Sequence, residues 1–174
     1  MTEIAKIPPR PKYHDPVVVE RAVEEILVPV QQWVDLRAQF QPKDLKAQLT
    51  DCIHNNGYEY AKELEERYGW EPNAALVSCL DKMDIHEAHR QVVWAWVISN
   101  GVKVPFQIGN RVVCIPTLRA GTVKDIDRGA AQLSVLTDED RDSGNDYRHL
   151  INFEDAIPIL GTIGEAALVE GGAV

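Results

Sequence analysis

With 174 residues, 45% of them hydrophobic, the chain can bury a core without disulfide or metal staples. Its charged fraction of 26%, with four Trp, five Tyr and three Phe, excludes a disordered polymer. Eighteen Lys and Arg stand against twenty-seven Asp and Glu, a formal charge of -9 with no basic segment, which argues against nucleic acid as a partner.

No stretch approaches the ~20 apolar residues of a membrane span, and the N-terminus lacks the apolar core of a secretory signal. Cys52, Cys79 and Cys114 are odd in number, widely spaced and flanked by apolar residues, a pattern of reduced thiols used as small hydrophobes. The expectation is a soluble protein of the cytoplasm, another intracellular setting or a viral particle, without membrane contact.

Residues 1–14 interleave Pro8, Pro9 and Pro11 with Lys6, Arg10 and Lys12 and read as an extended Pro-rich arm. Asp15-Pro16 then opens a helix, because Asp suits the N-cap and Pro the first helical position. Val19, Val23, Ile26, Val30, Trp33 and Val34 keep helical spacing through Pro29, which predicts one helix over 16–40, kinked at the proline. A second helical region starts at Pro42 with Leu45, Leu49, Cys52, Ile53, Tyr60 and Leu64 on one face, and Asn55-Asn56-Gly57 is a point where it can divide. Pro72 opens a short helix that turns Leu76, Val77, Leu80 and Met83 inward. Asp84 and Glu87 form a capping box for a last helix ending at Asn100-Gly101.

After Gly101 the apolar period changes from 3.6 to 2. Short strands are predicted at 111–115, 121–127, 132–136, 147–151 and 157–159, with a single helical turn over 153–156. The predicted fold is therefore α+β: a helical domain of four or five helices over 15–101, then a small five-stranded SH3-like antiparallel barrel over 102–160. The Gly/Ala-rich residues 161–174 read as an extended C-terminal tail. Within the barrel, Gly129 turns a hairpin in which Val123 and Ile126 face inward and Lys124 outward.

No motif in the chain names a reaction. His86 and His89 share a helix face and could hold a metal with a third ligand, the basis of a metal-dependent hydrolase reading, but their spacing is not that of a zincin and surface histidines account for them. Cys52 and His54 are two apart on a helix and point away from each other, so they make no catalytic pair. In the acidic run 137–146 the glycine is in the wrong place for a calcium loop and no bidentate glutamate sits at the required distance, so it reads as a solvated loop. No catalytic, cofactor or metal residue is assigned.

The candidate partner-binding residues are instead Pro8, Pro9, Arg10 and Pro11 in the arm, Trp94, which cannot share a helix face with Trp96, and Asp138, Glu139 and Asp140 in the acidic run. Together they predict a non-enzymatic protein that packs with other subunits, homo- or hetero-oligomeric, and grips neighbours with its terminal arms. By analogy of architecture a head, neck or tail component of a phage-type virion fits. One alternative is an acidic regulator or inhibitor that meets a basic protein surface through Glu59, Glu63, Glu65, Glu66 and the 138–142 loop. A further alternative is nucleic-acid binding by Arg111, Arg119, Lys124, Arg128 and Arg148.

Overall fold

The computed structural model describes residues 8–37 and 39–159. Residues 1–7 of the predicted arm and the predicted tail 161–174 lie outside the described residues. The chain divides into two compact units, one ending at Trp96 and the other beginning at Val97.

The first unit is helical: α1 (Pro16–Asp35), α2 (Leu45–Asp51), α3 (Gly57–Tyr68), α4 (Ala74–Leu80) and α5, which begins at Ile85 and runs to Ser99. On α1 the buried side chains Val18, Ala22, Val23, Ile26, Val30, Trp33 and Val34 form one stripe that passes Pro29 unbroken. The helix stops five residues short of the predicted end at 40, because a turn closed by Arg37 N to Val34 O and Phe40 N to Arg37 O brings Phe40 back against Trp33 and Trp70. Each of the next three helices has an N-cap side chain in place. Asp44 accepts from Ala47 N, Asn56 from Tyr58 N and Glu59 N, and Asn73 from Leu76 N. The Asn55-Asn56-Gly57 break is thus the start of α3, and Gly69, at φ 66, is its left-handed C-cap. Asp84 caps α5 through His86 N and Glu87 N, while the Glu87 carboxylate accepts from Gln91 and Arg90 instead of closing the reciprocal half of the box.

An aromatic cluster locks these helices. Trp33 and Trp70 are nearly parallel with centroids 5.9 Å apart, and the Arg37 guanidinium lies 3.6 Å from the Trp33 centroid. The buried Tyr60 hydroxyl donates to Leu49 O at 2.6 Å, which ties α3 to α2.

The second unit holds β1 (Arg111–Cys114), β2 (Arg119–Asp127), β3 (Gln132–Thr137), the short α6 (Asp138–Asp142), β4 (His149–Asn152), a 3-10 turn over Phe153–Asp155 and β5 (Ala156–Pro158). All neighbouring strands are antiparallel, in the order β4-β3-β2-β1-β5. The two ends of this order, β4 and β5, are edges: among the described residues the sheet is not closed, where the strand pattern predicted a small SH3-like barrel. Val112, Cys114, Val123, Leu133, Val135 and Ala156 are buried on its inner face. A bulge at Lys124 shifts the β2–β3 register between Val123 and Asp125, and this explains how Val123 and Ile126, of opposite parity, both turn inward. No helix among the described residues is long and apolar enough to cross a membrane.

Candidate interaction site

The described part of the Pro-rich arm lies on α5 of its own chain. Trp96 Nε1 donates to Pro8 O at 3.2 Å, and the Arg10 guanidinium sits 5.5 Å from the Trp96 ring centroid. Pro11 O can only accept, so its 3.0 Å contact with His89 Nε2 places the proton on that nitrogen. Tyr13 stacks on His89 at 4.0 Å between centroids and meets His86 edge-on at 5.2 Å. His86 and His89, read from sequence as a metal pair or as bland surface groups, are thus the bed on which Tyr13 rests. Among the described residues no group of three His, Cys, Asp or Glu side chains is placed to hold a metal.

The two tryptophans of α5 separate as their spacing requires. Trp96 receives the arm, while Trp94 is 57% exposed and faces away. Pro8 and Pro9 are exposed and Arg10 and Pro11 half-buried.

The acidic run contains a helical turn where sequence predicted a loop, because Thr137 caps it by accepting from Asp140 N. Its carboxylates face cations and donors of the same unit. Asp138 forms a two-pronged pair with Arg111 and also meets Arg141 at 3.3 Å. Glu139 pairs with Arg119 at 3.1 Å. The Asp140 carboxylate accepts from the Thr137 hydroxyl and from His149 Nε2. These bonds hold the Asp138 and Asp140 carboxyls below the usual carboxylate range, chiefly through Arg111 for the first and Thr137 for the second. Asp138, Glu139 and Asp140 therefore tie α6 to the sheet. The same pairs engage Arg111 and Arg119, and Asp146 meets Arg148 at 3.3 Å, so of Arg111, Arg119, Lys124, Arg128 and Arg148 three already face carboxylates. On α3, Glu63 and Glu66 pair with Arg67 and Lys62 of their own helix.

The thiols are packing groups. Burial pushes Cys52 up to about 11 and raises Cys114, which is the opposite of what a nucleophile requires.

A surface that sequence reading missed lies on the outer face of the sheet along the β1–β5 edge. Val113 pairs directly with Ile157, which is 54% exposed, and Ile115 extends the row with its amide bonded to Asp155 O. Leu118, at the tip of the β1–β2 hairpin, is 80% exposed and has a φ of 55. That backbone region disfavours any side chain with a Cβ, and most of all a large apolar one. The period-2 pattern of 111–115 marks a strand but gives no indication of which face remains uncovered, and nothing in Pro116-Thr117-Leu118 announces a left-handed leucine. No protein-family model, curated protein or solved structure matches this chain.

Proposed function

We propose that this protein is a non-enzymatic subunit that packs against copies of itself in a larger protein assembly, with Leu118 and the outer β1–β5 face as its contact. The observation that carries the proposal is Leu118. Holding a leucine in the left-handed region costs about 1–2 kcal/mol, and an exposed side chain returns none of it. Seated in a partner, the same side chain contributes roughly 1.5–3 kcal/mol, enough to offset the strain. Ile115 in the same hairpin turn, and Ile157 paired with Val113 on the adjoining strand, are exposed apolar groups that supply the surround such an anchor needs.

The second unit is on this reading an SH3-like module with an open barrel, supported by its strand order and by the single 3-10 turn before the last strand. A head, neck or tail component of a phage-type particle remains the most concrete setting, by analogy of architecture alone. Hydrogen exchange across a concentration series tests the contact. Amides of Ile115, Thr117, Leu118 and Ile157 gain protection as concentration rises if the proposal holds, and unchanged exchange there contradicts it.

A further inference from the structure

The bed on α5 has the spacing of a polyproline reader. Pro8, Pro9 and Pro11 each fix φ near the polyproline value, in a conformation with three residues per turn and no internal hydrogen bonds. Carbonyls three residues apart then point the same way, and the two that α5 takes, Pro8 O and Pro11 O, are three apart. Their donors, His89 and Trp96, are seven residues apart and so on one helix face. Seven helical residues rise about 10.5 Å, and three polyproline residues about 9.3 Å, so the two ladders match. Tyr13 continues the register onto His86 and His89.

From this match we infer that the His86–His89–Trp96 face is a binding site for a polyproline segment, and that in the assembled protein its occupant is Pro8–Tyr13 of a neighbouring copy. The inference rests on the reading that the chain assembles with copies of itself. The hinge is a turn in which Asp15 N donates to Lys12 O at 3.0 Å and Lys12 N to Asp15 Oδ2 at 2.8 Å. Asp15 is the N-cap residue of α1, yet its carboxylate is spent on this turn and makes no cap bond to the helix. Opening the turn releases that carboxylate to cap α1, which offsets much of what is lost. Both arm hydrogen bonds sit at or near the surface, so a neighbour's identical arm replaces them one for one.

The test mixes uniformly 13C,15N-labelled full chain with unlabelled full chain and records isotope-filtered nuclear Overhauser spectra, with mass by light scattering on the same sample. The expected result is a mass above the 19.5 kDa monomer together with cross-peaks between the labelled Trp96 and His89 rings and unlabelled Pro8, Arg10 and Tyr13 protons. Asp15→Ser, which keeps a capping hydroxyl and shortens the reach to Lys12, raises those cross-peaks severalfold. An oligomer whose filtered spectrum is empty overturns arm exchange and leaves assembly through Leu118 standing. A monomer at every concentration overturns both.

Discussion

The indole Nε1 of Trp33 donates to Asn73 Oδ1 at 2.9 Å, and the same oxygen accepts from Leu76 N at 3.1 Å as the N-cap of α4. One side-chain atom therefore starts a helix and satisfies the indole of a buried tryptophan 40 residues away.

Asn73→Ala is expected to cost more than a cap. Loss of the cap is worth about 1 kcal/mol, and the stranded indole donor adds roughly 1–2 kcal/mol. Asn73→Asp keeps both acceptor bonds and most of the stability. Urea midpoints of the three proteins check this, with Asn73→Ala clearly lowest.

Acid stability should depend on Arg111. A carboxyl held low in the folded state contributes stability that is complete above its unfolded value near 3.9 and is lost as pH falls through the lower folded value. Asp138 is such a group, and Arg111 is its main partner. Arg111→Met is expected to lower stability at pH 7 by about 1–2 kcal/mol and to flatten the loss below about pH 4. Denaturant midpoints at pH 7, 4 and 3 read both effects.

Thiol reactivity follows burial. Cys52 and Cys114 are buried with thiols raised by desolvation, whereas Cys79 is only half-buried. At pH 8 a disulfide reagent should label Cys79 well before the other two in native protein, and all three at one rate in denaturant.

Much of the fold is legible in the sequence, because its signals are local. Asp15-Pro16, Asn55-Asn56-Gly57 and Asp84 mark ends that the structure uses, and the change of period after Gly101 separates helices from strands. What was not legible is decided by contacts distant in sequence. Phe40 leaves the helical run for Trp70, and the Asp138–Arg111 pair folds an apparently solvated loop onto the sheet. The bulge at Lys124 and the positive φ of Leu118 are set by strand pairing and hairpin geometry, which a single strand's alternation cannot encode. The candidate site was half-readable. Pro8–Pro11 and the His86/His89 pair are conspicuous as motifs, but only the fold of the chain brings one onto the other.

The most direct measurement of the central claim compares the full chain with Leu118→Asn by light scattering over a concentration series, alongside urea unfolding at a dilution where both are monomeric. Asn tolerates the left-handed region, so the variant is expected to be more stable by about 0.5–1 kcal/mol as a monomer. It should also lose the concentration-dependent rise in mass that the parent shows. A parent that stays at 19.5 kDa throughout, or a variant that associates as well as the parent, would contradict assembly through Leu118.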